Sequence, residues 1–211
     1  MTDLPKIAVI GAGLAGISFA KNLAEFADIS LFEKSRGIGG RMSFRRRKPF
    51  NFDHGAQFFT ARSEPFQVEI SRALDSKVIV EWVPKIVKLE LGEKPFKREW
   101  FEPHYCGTDG MNSLVKHMGT GLNIVLEAQI KRLESESGSW CLSDENEQVI
   151  GPLDWVVSAH PAPQAVNLLP SSFVKKNKVG DGMFSGCFAM MLGFENPVSL
   201  NFQAAVITDP V

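Results

Sequence analysis

Two glycine-rich turns flank one acidic residue near the amino terminus, and their spacing suits an anionic ligand that also carries a ribose. Gly11, Gly13 and Gly16 stand in Gly11-Ala12-Gly13-Leu14-Ala15-Gly16, between the apolar run Ile7-Ala8-Val9-Ile10 and an Ala/Leu-rich stretch with helical spacing. Without side chains, Gly11 and Gly13 allow a tight turn and close approach of the backbone to a pyrophosphate. Gly16 lets the following helix pack against the sheet. The free N–H groups at the helix start, at Leu14 and Ala15, add partial positive charge where a phosphate would sit. Glu33 ends the next apolar run, Ile29 to Phe32, 22 positions after Gly11. A carboxylate there can accept hydrogen bonds from ribose hydroxyls and repels a 2′-phosphate, which disfavours NADP. Strand, phosphate turn, helix, strand and acid in register read as a dinucleotide site.

The second turn, Ser35-Arg36-Gly37-Ile38-Gly39-Gly40-Arg41, narrows the ligand. Gly37, Gly39 and Gly40 give an anion-facing loop beyond the ribose position, and Arg41 offers a fixed charge with fork-shaped donors. A plain NAD domain rarely needs this second cradle; a longer cofactor such as FAD does. The basic run Arg45-Arg46-Arg47-Lys48 reads as a solvated hairpin, with contact to a charged substrate as the other option.

Asp53-His54-Gly55-Ala56-Gln57-Phe58-Phe59-Thr60-Ala61-Arg62 is the next candidate. Gly55 and Ala56 are small enough to press against a flat ring, Gln57 could hydrogen-bond flavin or substrate, and Phe58 and Phe59 could wall an apolar pocket. A buried turn with core aromatics is the alternative. His54, beside Asp53, reads as structural rather than catalytic. His104, His117 and His160 lack metal spacing, and no Ser/His/Asp arrangement is evident, so no metal site is expected. Flavin chemistry needs none of these, because hydride acceptance belongs to the cofactor.

The elements that must position these residues begin with strands over Ile7–Ile10 and Ile29–Glu33 and a helix over Leu14–Phe26, burying Leu14, Ile17, Ala20, Leu23 and Ala24. A hairpin over Met42–Arg46 and Phe50–Asp53 follows. Ser63 caps a helix running to Leu74, with Pro65 in its first turn. Short β runs at Val78–Trp82, Ile86–Leu91 and Lys97–Phe101 suggest an antiparallel excursion into a second layer. Thr108-Asp109-Gly110 caps a helix to Met118. A meander spans Asn123–Leu126, Ala128–Glu134, Ser139–Ser143 and Gln148–Ile150, and Trp155–Ser158 is a further strand. Helices at Pro163–Leu169 and Ser171–Asn177 precede β runs at Gly186–Phe194 and Ala204–Thr208. The chain then stops at Thr208-Asp209-Pro210-Val211, as if in mid-excursion, so a carboxyl-terminally incomplete fold is expected.

Bulk properties exclude several classes. With 211 residues, 44% hydrophobic and 22% charged, the chain is an ordinary globular sequence with room for one large core or two smaller ones. Its 23 basic and 24 acidic residues leave a net charge of −1, so no global field draws in nucleic acid or an anionic membrane. Lys6 and the run to Ala20 mimic a signal peptide, but three glycines at nucleotide-turn spacing interrupt it. No apolar run reaches a membrane span. Cys106, Cys141 and Cys187 form no C-x-x-C, which fits a reducing compartment; a cytoplasmic protein acting on a small molecule is expected.

Lys6 to Gly16, Glu33-Lys34-Ser35-Arg36-Gly37-Ile38-Gly39-Gly40-Arg41 and Asp53 to Arg62 together resemble the flavin-containing amine oxidase superfamily, and within it the bacterial renalase-like proteins. Tyr105 to Met118 and Val156 to Ala165 are similar to the same group. The resemblance implies an α/β, FAD-binding Rossmann-like fold of the p-hydroxybenzoate-hydroxylase/amine-oxidase type with a β-rich substrate domain. Residues 1–62 and 105–165 would form the FAD-binding domain, and 63–104 and 166–211 an incomplete substrate domain. By matching position, Gly11, Gly13, Leu14, Ala15 and Gly16 would serve the pyrophosphate, Glu33 and Lys34 the adenosine ribose, and Gly39, Gly40 and Arg41 the phosphates. Gly55, Ala56 and Gln57 would lie near the isoalloxazine, and Ile130 would give backbone contacts to adenine. The implied activity is oxidation of 2- or 6-dihydro isomers of NAD(P) by hydride transfer to flavin N5, with reoxidation by O2. Oxidation of an amine or another small molecule, or a flavin-binding remnant without activity, are the alternatives. Family members run about half as long again, and their carboxyl-terminal return carries further flavin and substrate contacts.

Overall fold

The computed structural model describes residues 3–94, 96–97, 101–182 and 184–208. Lys6–Ile10 forms β1, Leu14–Leu23 helix α1 and Asp28–Glu33 β2, a strand–helix–strand unit with both strands parallel. A hairpin of β3 (Phe44–Arg47) and β4 (Phe50–Asp53) follows, then α2 (Glu64–Asp75). Next come β5 (Ile79–Trp82), β6 (Ile86–Leu89), β7 (Phe96–Lys97) and β8 (His104–Gly107). Helix α3 (Ser113–Met118) leads to β9 (Asn123–Leu126), and β10 (Ile130–Glu136), β11 (Ser139–Asp144) and β12 (Val149–Leu153) make an antiparallel meander. The chain continues through β13 (Trp155–Ser158), α4 (Ala162–Leu168), α5 (Lys176–Gly180) and β14 (Ala204–Ile207).

The centre is a four-stranded parallel sheet in the order β13-β1-β2-β9. Its inner strand β1 is buried from Ile7 to Ile10, a continuous apolar run because both of its faces are covered. Alternation assigns the faces. Ile7, Val9, Ile29 and Leu31 pack with α1, α3 and Ile70 and Ala73 of α2, while Ala8, Ile10 and Phe32 pack with Ile130, Leu142 and Leu153 of the meander. The meander therefore caps the face opposite the helices, and Ile130 at its first strand lies beside the carboxyl end of β2. The expected α/β architecture with a parallel Rossmann-like sheet is what the structure shows.

Several boundaries differ from the sequence reading. Helix α1 ends at Leu23, so Ala24 is its exposed carboxyl-terminal cap rather than a buried member of the stripe. Ser63 precedes α2 without a side-chain capping bond, although Pro65 does lie in the first turn. Thr108 does not cap α3: its hydroxyl donates to the carbonyls of Lys77 (3.0 Å) and Val78 (2.8 Å), closing the end of the β5–β8 ribbon, and Asn112 takes the cap position. Asn123–Leu126 joins the parallel sheet beside β2 instead of the meander. The helix expected at Ser171–Asn177 begins only at Lys176. The run at Gly186–Phe194 is not a strand: it pairs with no described strand, and Phe188 is 101% exposed. The strand expected over Lys97–Phe101 is represented by β7, and residues 98–100 lie outside the described residues, as do Asp209, Pro210 and Val211.

Helices α1 and α2 are tied by Lys21 and Glu69, with Arg72 adding a second bond to Glu69 at 2.8 Å. Burial alone would raise the Glu69 carboxyl, but the hydrogen bond and charge of Lys21, and then Arg72, hold it below its ordinary value of 4.5. A carboxyl depressed in the folded state contributes stability above its unfolded pKa and loses it as pH falls through the folded one. Glu69→Gln should therefore lower stability in urea by about 1 kcal/mol at neutral pH, with the gap closing below about pH 4. A gap that stays constant with pH would assign the loss to packing instead.

Candidate functional site

The carboxyl ends of β1, β2 and β13 converge, which is where open parallel sheets place their ligands. Gly11 leaves β1 with φ +105°, a conformation that side chains resist, and its N–H donates to the Phe32 carbonyl at 2.9 Å. A Cβ on Gly16 would stand 2.0 Å from the Gly11 carbonyl oxygen, so helix α1 can start this close to the turn only with glycine there. Glu33 is buried at 7% exposure, and both its oxygens are engaged: Oε2 accepts from the Ala12 N–H at 2.9 Å and Oε1 from the Ser35 N–H at 2.9 Å. The acid thus clamps the glycine turn to the end of β2, and each oxygen keeps a second lone pair for a ligand hydroxyl.

A cavity of about 330 Å3 opens at this point. Phe32, Ala128, Ile130 and Leu168, which cluster together, give it an apolar part suited to a flat base, and Gly11, Glu33, Lys34 and His160 add polar groups. Lys34 Nζ donates to Gln164 Oε1 of α4 at 3.0 Å, joining two residues of the wall.

The second glycine loop lies directly against the first. The Gly39 N–H donates to the Ala12 carbonyl at 3.0 Å, Gly13 and Gly39 form a parallel bridge, and a Cβ on Gly40 would stand 3.3 Å from Gly13 Cα. Gly39 has φ +135°. Asp53 to Arg62 then docks on this loop: the Ala56 N–H donates to the Arg41 carbonyl at 2.9 Å, and a Cβ on Gly55 would lie 2.1 Å from the same oxygen. Close backbone packing on Arg41 accounts for the glycine at position 55. Around this junction, buried polar atoms lack protein partners: Oδ1 of Asn112, whose Cβ is 3.1 Å from a Cβ placed on Gly39, and Nδ1 of His54, whose Nε2 meets the Ser43 hydroxyl at 3.2 Å. Unsatisfied polar groups at a loop junction are what a polar ligand would relieve.

The structure thus brings Gly11, Glu33, Lys34 and Ile130 to one cavity, and Gly13, Gly39, Gly40, Arg41, Gly55 and Ala56 to the adjoining loop junction. Leu14 is partly buried on the core while Ala15 is exposed at the helix start. Gln57 has an exposed side chain, and its carbonyl accepts from Cys106 Sγ at 3.4 Å. Burial, then the Asp53 carboxylate, push the Cys106 thiol up, so it stays protonated. Phe58 stacks on His104 (4.8 Å) and Trp82 (5.5 Å), and Phe59 packs on Tyr105 and Phe66 against the main core. Neither ring lines the cavity; the core-aromatic alternative describes Phe59. Gln129, Lys131, His160, Gln164 and Asn167 are wall residues that the sequence reading missed. The signal for His160 was present, since a strand parallel to β1 must end beside the first glycine turn. Among the described residues no group of three His, Cys, Asp or Glu could hold a metal, and no helix is long and apolar enough to cross a membrane.

Comparison with known proteins agrees with this geometry. Residues 9–70 match the family described as NAD(P)-binding Rossmann-like domain. The 4,4'-diapophytoene desaturases (4,4'-diaponeurosporene-forming) of Staphylococcus aureus strains Newman and USA300 are each 43% identical over 51 residues, 24% of this chain and 10% of theirs. A crystal structure of a protein assigned as a protoporphyrinogen oxidase, from Exiguobacterium sp. 255-15, superposes with a TM-score of 0.64 at 13% identity, covering 86% of this chain and 64% of that one. The chain therefore matches about a tenth of the desaturases' length and shares the fold of the oxidase.

Gly16→Ala should cost about 1–3 kcal/mol of stability from the forced shift of the Gly11 turn. The check is thermal and urea unfolding beside the exposed control Gly37→Ala, where a Cβ meets nothing within 4 Å; equal losses would remove the close-packing account.

Proposed function

We propose that this chain binds FAD and serves as an oxidoreductase. The observation that carries the reading is the buried Glu33 carboxylate, which stands at once on the cavity wall and on the glycine turn that the second loop touches. The residues present fit such a cofactor. The apolar end around Ile130 takes adenine, Glu33 accepts from ribose hydroxyls, and the N–H groups at the start of α1 face the pyrophosphate. Arg41, exposed at the second loop, supplies further charge to the phosphates, and Gly55, Ala56 and Gln57 continue the surface toward a ring. When bound, the flavin supplies hydride acceptance. This chain's own residues bind and orient it, and Glu33 organises the loop that holds its phosphates.

The finer reading is a renalase-like oxidase of 2- or 6-dihydro-NAD(P), with O2 as electron acceptor. It rests on the segments Glu33 to Arg41, Asp53 to Arg62, Tyr105 to Met118 and Val156 to Ala165. Residues 1–62 and 105–165 hold the cofactor, and 63–104 with 166–211 face the substrate; parallel pairing of β14 with β6 supports grouping the last two segments. A second reading, oxidation of an amine or another small molecule, is favoured by the amino-terminal likeness to a desaturase and the fold shared with a protein assigned as a protoporphyrinogen oxidase. Three free cysteines and a net charge of −1 accord with a cytoplasmic protein acting on a small molecule rather than on nucleic acid or a membrane.

Purified protein should be yellow or take up FAD, with visible absorbance following saturation. Anaerobic 6-dihydro-NAD should bleach that absorbance; bleaching by amines alone moves the assignment to the second reading. Glu33→Ala should weaken FAD or ADP-ribose binding by about 1.5–3 kcal/mol, the range for a hydrogen bond to a charged group. Calorimetry showing unchanged affinity would take Glu33 out of the site.

A further inference from the structure

Of the chain's four histidines, His160 alone lines the nucleotide cavity among the described residues. It stands in the turn between β13 and α4, and its backbone nitrogen lies 3.4 Å from a Cβ placed on Gly11. Its ring Nδ1 faces the Ile10 carbonyl at 3.4 Å and the Ser158 hydroxyl at 3.3 Å. A carbonyl only accepts, so the contact with Ile10 is a hydrogen bond in the Nδ1–H tautomer, whereas the Ser158 hydroxyl can serve either tautomer; with the proton on Nδ1, the neutral ring carries its lone pair on Nε2 at the opposite edge. That lone pair repels a phosphate oxygen, whereas a protonated Nε2–H donates to one and adds charge to the bond.

We infer that His160 is a further nucleotide-contact residue, its imidazolium Nε2–H donating to the phosphate nearest Gly11, so that proton uptake accompanies binding. This rests on the nucleotide reading of the cavity. The charged groups sharing the wall are Glu33 and Lys34 at the end of β2 and Lys131 on β10; α4 contributes only the neutral Gln164 and Asn167. Carboxylates and lysines ordinarily titrate outside about pH 5.5–8.5, and histidine within it.

The sign follows from linkage. A ligand that prefers the protonated ring raises the histidine pKa in the complex, so affinity rises as pH falls. ADP-ribose is the probe because its diphosphate does not change charge across this window. Calorimetric titration of the full chain should give about tenfold tighter binding at about pH 5.5 than at about pH 8.5, the effect of a one-unit shift. His160→Asn, which keeps a donor for the Ile10 carbonyl and does not titrate, should bind with a flat profile at the high-pH affinity. Adenosine, lacking phosphate, should bind the unaltered chain with no pH dependence, which tests the proposal even should the variant fail to fold. Flat ADP-ribose affinity, pH dependence persisting in His160→Asn, or the same dependence with adenosine overturns the role of His160 while leaving the cavity's assignment intact. Failure of ADP-ribose and FAD to bind at any pH overturns both.

Discussion

A buried carboxylate bonded to two backbone N–H groups is the constraint on which the site depends. Glu33 sits at the last position of β2, and its bonds to Ala12 and Ser35 fix the glycine turn on one side and the start of the second loop on the other. Because the Gly39 N–H in turn reaches the Ala12 carbonyl, one short stretch of backbone carries both loops. Bonds to a charged acceptor are individually worth about 1.5–3 kcal/mol, enough to hold two loops that glycine makes flexible. The acid therefore builds the glycine cradle itself.

The layers explain why the cavity lies where it does. Helices cover one face of the parallel sheet and the meander the other, so the strand ends are the open part of the central sheet. Ile130 at the start of the meander and Ala128 just before it then line the cavity, together with His160 of the β13–α4 turn. The remaining sheets are small; in the sheet ordered β14-β6-β7, Ile86 and Val87 of β6 are buried.

Much of this was legible in the residues. The glycine spacing and Glu33 identify the first strand–helix–strand unit because each has a local cause: no room for a Cβ at Gly16, no tolerance for a side chain at φ +105° in Gly11. The contact of the two glycine loops was foreseen only as proximity. Gly55 is also held to glycine by the Arg41 carbonyl, a contact between distant residues that no local pattern encodes. Phe58 and Phe59 carry the same composition in a pocket wall as in a core, so the sequence left both open; Phe59 packs against the main core, while Phe58 contacts Trp82 and His104. The Gly186–Phe194 run shows the reverse failure: a continuous apolar run suits a strand, but a strand exists only where a neighbour shares its backbone hydrogen bonds.

The bond from Lys34 to Gln164 ties the tip of β2 to α4 across the rim of the cavity. Both side chains are exposed, so this tie is worth only about 0.5–1.5 kcal/mol net and competes with water at every moment. An incoming molecule need not wait for a rigid-body movement to be admitted. Residence time is then governed by how tightly the interior grips its guest, and the entrance itself acts as a door left on the latch.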